Sequence, residues 1–244
     1  MARIEIKNLS FAYENKKGVL TEIFSNVNIV FNDQRCSVII GESGSGKTTL
    51  LRLITGMETP DEGNIYFDER LIDDLDVFKR KISYVSQNIA LYPGYTIFRN
   101  IAFPLLIKKV HAFEIRQRVR EIAKELGIEC CLSRKPKHIS LGQQQLACIA
   151  RTIIKDSDVY IFDEPFSNLD KESKEKAKNL IRKHIIEKQK TCIFSTHHLP
   201  DVIGICDDII IIKDKNIYLK GDVKTLLERK DPYFMSLLGK EYEE

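Results

Sequence analysis

Long apolar runs are missing from this chain of 244 residues. Stretches such as Ile209–Ile212 stop after a few positions, far short of the roughly eighteen that crossing a bilayer requires. Contact with a membrane is therefore expected through a partner. The amino-terminal MARIEIKNLSFAY has neither the basic start nor the continuous apolar core of a secretion signal, so a cytoplasmic location is expected. Excess charge is also small. With 38 Lys+Arg against 35 Asp+Glu the net charge is +3, and no strong basic field points to nucleic acid or to an anionic lipid surface. The six cysteines show no C-x-x-C spacing, and several sit in apolar runs such as CSVII and TCIFS. That argues against a disulfide framework or a structural zinc site and for buried, reduced thiols. Internal repeats, low-complexity tracts and long linkers are absent too. What remains is an ordinary globular composition, 43% hydrophobic and 30% charged, long enough for one core domain with a packed insertion.

The periodicity divides the chain. RIEIKNLSFAY and VNIVF read as strands, and CSVII is a short buried strand that ends directly at Gly41. LLRLITGM has helical spacing, and the turn-forming TPDEG at 59–63 leads into the strand-like NIYF. From about Asn88 to Lys155 the pattern is helical, with EIRQRVREIAKELGI carrying apolar residues three and four apart and Gly127 placed to end the helix. VYIF and TCIFS, separated by the charged helix around KESKEKAKNLIRKHIIEK, return to the strand–helix–strand rhythm of a parallel sheet. The predicted fold is α/β: a mostly parallel sheet, an amino-terminal antiparallel β subdomain and an inserted helical subdomain. The expected divisions are 1–87, 88–152, 153–221 and a short tail over 222–244. The acids Asp73, Asp74 and Asp76 are expected in a solvated turn, and the basic run Lys108, Lys109, Arg116, Arg118 and Arg120 on a solvated helical face.

Two segments carry chemistry. GESGSGKTT, which runs Gly41, Glu42, Ser43, Gly44, Ser45, Gly46, Lys47, Thr48 and Thr49, fits G-x-x-x-x-G-K-[ST] between a buried strand and a helix. Such a loop turns backbone N–H groups around a polyphosphate, with Lys47 reaching the β- and γ-phosphates and the Thr48 hydroxyl offered to Mg²⁺. VYIFDEP ends a buried strand in two acids at the carboxyl edge of the sheet. Asp163 is the candidate magnesium residue there, and Glu164 the candidate base for an attacking water. Together they specify a nucleoside triphosphatase without naming its class.

The class comes from a third segment. ISLGQQQ, Ile139 to Gln145, resembles the LSGGQxQ signature of the ABC ATPases. Gln87 in YVSQ, Asp170 closing SNLD, His197 in THH and the aromatic Tyr13 match further elements of that family in order, over nearly the whole chain. The resemblance implies an ATP-hydrolysing subunit that binds ATP and Mg²⁺ and works as a head-to-tail dimer with a second ATPase subunit. Tyr13 would stack on adenine. Gln87 would sense Mg²⁺, and His197 would contact the γ-phosphate and place the water with Glu164. Ser140, Gly142, Gln143 and Asp170 would close over the nucleotide bound by the opposite subunit.

Leu141 stands where the family usually has a signature glycine, and Leu146 where it usually has an arginine. A left-handed backbone at Leu141 would be strained, whereas a helical one would tolerate it. LYPGYTIFRNIAFPL and DEPFSNLD resemble bacterial importer ATPases, which implies a transmembrane permease and a possible extracytoplasmic binding protein as partners. The subunit would then sit peripherally on the inner face of the cell membrane, and the permease is expected to dock near Gln87 and residues 92–98. Only about twenty residues follow Gly221, which argues against the sugar-importer subclass. An ATPase for lipoprotein or peptide export is the alternative within transport. A soluble ABC ATPase acting on nucleic acid is the alternative from another class, although no direct nucleic-acid contact is expected.

Overall fold

The computed structural model describes residues 3–238. Residues 1–2 and 239–244, the ends of the first expected division and of the expected tail, lie outside the described residues.

The first strands build an antiparallel sheet. β1 (Ile4–Glu14) and β2 (Leu20–Phe31) pair in antiparallel register from Ile4↔Phe31 to Glu14↔Leu20. The inward set on β1 steps from Ile6 to Leu9 because Asn8 adopts φ 52° and the register shifts there, as a β-bulge does. β4 (Glu62–Phe67) pairs with the other side of β1, and the short β5 (Arg70–Leu71) completes the order β2-β1-β4-β5.

β3 (Cys36–Ile40) is buried at all five positions, as a central strand covered on both faces must be. It joins β6 (Ile82–Val85), β7 (Val159–Asp163), β8 (Thr191–Thr196), β9 (Asp208–Lys213) and β10 (Asn216–Asp222) in a six-stranded sheet of order β10-β9-β3-β8-β7-β6. All neighbouring strands in it are parallel except β10, which runs antiparallel to β9.

The two faces of this sheet border different cores. On one side Ile39, Ile161, Ile193 and Ile210 share a cluster with α1 (Lys47–Thr55) and with the buried residues of the antiparallel sheet. On the other, Val38, Ile40, Phe162 and Phe194 pack with α2 (Ile97–Ile107), α3 (Ala112–Glu125), α4 (Leu141–Ile154) and α5 (Lys171–Ile181), which a π turn over Arg182–Ile186 prolongs. The α/β expectation with its antiparallel subdomain and inserted helices holds. α6 (Val223–Arg229) and α7 (Pro232–Leu238) occupy the described part of the expected tail and bury Leu226, Phe234 and Leu238 in the helical-side core. No helix among the described residues is long and apolar enough to cross a membrane. Asp73 departs from a solvated turn: its carboxylate accepts the Ile65 N–H at 3.1 Å and the Asn64 amide at 3.1 Å, and its carbonyl accepts from Arg80.

Candidate functional site

Where β3 ends, residues 41–46 turn sharply into α1. Gly46 sits at φ 102°, and a Cβ there would lie 2.7 Å from Phe24 and 2.9 Å from Ile23. Only glycine fits both demands. Lys47, the first residue of α1, is buried and curls back so that Nζ donates to the carbonyls of Gly41 (2.8 Å) and Glu42 (3.0 Å). Burial pushes its ammonium below the ordinary lysine value, while the charges of Glu164 and Asp163 act in the opposite direction. Ser45 Oγ is buried without a hydrogen-bond partner among the described residues.

An open cleft of about 470 Å³ lies over this turn, lined by Ser43, Gly44, Gly46, Lys47, Thr48, Thr49, Gln87, Glu164, His197 and Ile23. Residues expected from three distant stretches of sequence thus meet around one space. Parallel pairing of β7 and β8, in register at Asp163↔Ser195, brings the two acids beside the histidine. Glu164 Oε1 and Oε2 each lie 2.9 Å from His197 Nδ1. The Glu164 side chain is 8% exposed and that of His197 64% exposed, so the pair spans the wall and the rim of the cleft. With the carboxylate ionised, the proton of a neutral imidazole belongs on Nδ1, which leaves Nε2 as an acceptor toward solvent. Glu164 itself takes φ 50°, a conformation that non-glycine residues adopt uncommonly. Its N–H donates to the Ser195 carbonyl at 3.1 Å, which holds the turn.

Asp163 is fully buried and surrounded by hydroxyls. Thr48 Oγ1 donates to Oδ1 at 3.1 Å, Ser195 Oγ to Oδ1 at 2.5 Å and Tyr84 O–H to Oδ2 at 3.1 Å. Ser195 and Tyr84 were not expected from the sequence. The available signal was a hydroxyl residue immediately before THH, but the contact depends on strand register. Thr48, Asp163 and Gln87 provide the hard oxygen donors suited to Mg²⁺.

Tyr13 lies outside the cleft lining. Its hydroxyl accepts from Thr49 Oγ1 at 3.4 Å, its ring meets Phe11 edge-on at 4.9 Å, and the Arg52 guanidinium contacts its phenol. Ile23 provides the apolar wall that sequence reasoning missed. Ser140, Gly142 and Gln143 also lie outside this lining, at the start of α4. Ser140 Oγ accepts from the Gln143 N–H at 3.2 Å while the Gln143 side chain accepts from the Ser140 N–H at 3.1 Å, a reciprocal capping box. At Gly142 a Cβ would come 3.1 Å from the Asn168 carbonyl, so the helix start passes close to the segment ending at Asp170. Asp170 caps α5 by accepting the Ser173 N–H at 2.8 Å.

The two leucines separate. Leu141 is the first residue of α4 with no positive φ and is 63% exposed, whereas Leu146 is 3% exposed within the helical core. Strain at Leu141 is thereby excluded. Gln145 is fully buried, and its Nε2 donates to the Pro165 carbonyl at 3.1 Å, directly behind Glu164.

Residues 24–167 match the family described as ABC transporter. The chain is 39% identical over 221 residues to the glucose import ATP-binding protein GlcV of Saccharolobus solfataricus, covering 88% of this chain and 62% of that protein. It is 34% identical over 235 residues to the oligosaccharides import ATP-binding protein MsmX of Bacillus subtilis, covering 96% and 63%. To the molybdate/tungstate import ATP-binding protein WtpC of Pyrococcus horikoshii it is 38% identical over 192 residues, covering 79% and 56%. The chain therefore spans about three fifths of the length of these curated relatives. Among solved structures, the dimeric structure of MJ0796, a bacterial ABC transporter cassette, superposes with a TM-score of 0.83 at 30% identity, covering 90% of this chain and 98% of that one. The same cassette has also been solved as a dimer in a post-hydrolysis state bound to ADP and Pi, with the same score. Site geometry, sequence and fold agree, and the chain belongs to the ATP-binding proteins of the ABC transporter family.

Proposed function

We propose that this chain hydrolyses MgATP at the cleft between α1 and the ends of β7 and β8, and that it does so as half of a head-to-tail dimer powering a membrane permease. The observation that carries the reading is the Glu164–His197 pair at 2.9 Å on the rim of the cleft whose floor is Lys47 and the glycine loop.

Each residue then has a defined task. Backbone N–H groups of residues 42–49 and the Lys47 ammonium receive the phosphates at a helix start, where the dipole favours negative charge. Glu164 accepts the proton of the attacking water, and His197, donating from Nδ1, holds that carboxylate in place while Nε2 faces the cleft mouth. Thr48, Gln87 and Asp163 are the donors that would hold a magnesium ion, whose charge offsets that of the phosphate oxygens. Tyr13 is assigned to adenine stacking by the resemblance alone, since its ring packs against Phe11 outside the cleft lining. Ser140, Gly142, Gln143 and Asp170 lie away from the chain's own cleft, which supports their use by the opposite subunit.

Residues 88–152, with Tyr92 to Phe98 beside Gln87, form the surface read as permease-facing. The subunit is accordingly peripheral on the cytoplasmic side of the membrane. The relatives named above are import ATP-binding proteins for glucose, oligosaccharides and molybdate or tungstate, which favours import. Cargo choice is read as lying in the permease and any extracytoplasmic binding protein, a reading supported by the recurrence of one cassette scaffold among relatives named for chemically unrelated cargo.

Glu164→Gln tests the reading. ATP turnover should fall at least a hundredfold while ATP binding persists and a dimer accumulates in sedimentation runs with ATP. Undiminished turnover would refute the role of Glu164, and ATP-saturated monomer would refute the dimer.

A further inference from the structure

Buried carboxylates are normally held by a cation or by several hydrogen-bond donors, because the unpaired ion is costly to desolvate. Asp163, with no exposed surface, takes three hydroxyls and no basic side chain among the described contacts. These donors differ in origin. Thr48 belongs to α1 and to the proposed metal-binding set. Ser195 comes from β8, directly opposite Asp163 in the parallel register. Tyr84 comes from β6, the strand on the other side of β7, where it pairs with Ile161. The carboxylate is thus gripped from both flanking strands, Oδ1 by one and Oδ2 by the other.

Tyr84 also lies three residues before Gln87, on the strand that leads directly into it. Its ring is half-buried, and its hydroxyl donates to Asp163 Oδ2 at 3.1 Å. Arg52 of α1 lies near the phenols of both Tyr13 and Tyr84.

We infer that Tyr84 and Ser195 are positioning residues that orient the Asp163 carboxylate for the divalent cation of the nucleotide complex, and that Tyr84 ties this orientation to the strand carrying Gln87. The inference rests on the proposed nucleotide site and deepens it. Neither residue touches nucleotide in the proposed arrangement. Their loss should therefore weaken the metal-dependent part of binding and leave the metal-independent part unchanged.

The experiment uses Tyr84→Phe, Ser195→Ala and the double variant, each first shown by circular dichroism and thermal melting to fold like the parent. Affinity for a fluorescent ATP analogue is then measured in EDTA and across a Mg²⁺ titration, alongside ATPase activity as a function of free Mg²⁺. Deleting one neutral donor to a buried carboxylate should raise the half-saturating Mg²⁺ concentration about fivefold to tenfold, with more in the double variant and no more than a twofold change in EDTA. Ser195→Thr, which keeps the hydroxyl, should restore most of the loss. Unchanged Mg²⁺ dependence in folded single and double variants would overturn the proposal, as would equal weakening with and without metal. A parent protein that bound no ATP, or whose binding ignored Mg²⁺, would instead refute the nucleotide site itself.

Discussion

Leu141 allows a quantitative test of how the start of α4 is used. It is 63% exposed on the chain alone, directly between the capping residue Ser140 and the close-packed Gly142. Complete burial of a leucine side chain contributes about 1.5–3 kcal/mol, so covering the exposed share gives about 1–2 kcal/mol. A symmetric dimer covers two copies, or about 2–4 kcal/mol in total, which corresponds to roughly a 30- to 700-fold change in the dissociation constant. Leu141→Ala should therefore weaken ATP-dependent dimerisation by that factor in the Glu164→Gln background, measured by sedimentation over a range of protein concentrations. Urea unfolding of the monomer should barely change, because alanine is a good helix residue and the lost side chain is mostly solvated. Leu141→Gly adds a helix cost of up to about 1 kcal/mol and serves as the contrast. A dimer constant altered less than threefold by Leu141→Ala would show that no partner covers this side chain, and the trans role of Ser140 and Gly142 would lose its support.

Leu146→Ala should destabilise the fold by about 2–5 kcal/mol in urea unfolding, because this leucine is 3% exposed; a loss under 1 kcal/mol would contradict its place in the core. In native protein at pH 8 an aromatic disulfide reagent should modify Cys130 fast and Cys36, Cys131, Cys148, Cys192 and Cys206 slowly, since Cys130 is the exposed thiol and burial or a neighbouring thiol pushes Cys36, Cys131, Cys148 and Cys206 up. Rapid modification of more than one thiol before unfolding would count against this arrangement. Asp222 caps α6 by accepting the N–H groups of Lys224 and Thr225, and those bonds hold its carboxyl below the ordinary value. A depressed folded value gives stabilisation that is fully present above about pH 4 and lost as pH falls through the folded value. Asp222→Asn should flatten that acid limb in melting experiments, and an identical limb in both proteins would refute the assignment.

What could be read from the sequence was what chain neighbours determine. The glycine loop, Lys47, the Asp163–Glu164 step and the strands VYIF and CSVII declare themselves within a few residues, because loop, capping and burial signals are local. The contacts of Asp163 were not legible. Ser195 and Tyr84 reach it through the order β8-β7-β6, which no short pattern encodes. Leu141 and Leu146 show the same limit from another direction. Both depart from the family pattern within one turn and a half of helix, yet α4 turns one to solvent and the other into the core, and only the packing partners of the helix decide which. Tyr13 is an aromatic residue at the place the resemblance assigns, while the destination of its hydroxyl beside Thr49 and Arg52 depends on how the antiparallel sheet lies across α1.

Gln145 bears on how the helices can move. α2, α3 and α4 share one apolar cluster with β3, β7 and β8, in which Ile101, Leu105, Val119 and Ala147 are buried. Through its single amide bond to Pro165, Gln145 acts as a strut between α4 and the turn that follows β7. A shift of α4 along its axis would be felt as a push or a pull on the turn that holds Glu164, which ties the helical side of the protein mechanically to the proposed base.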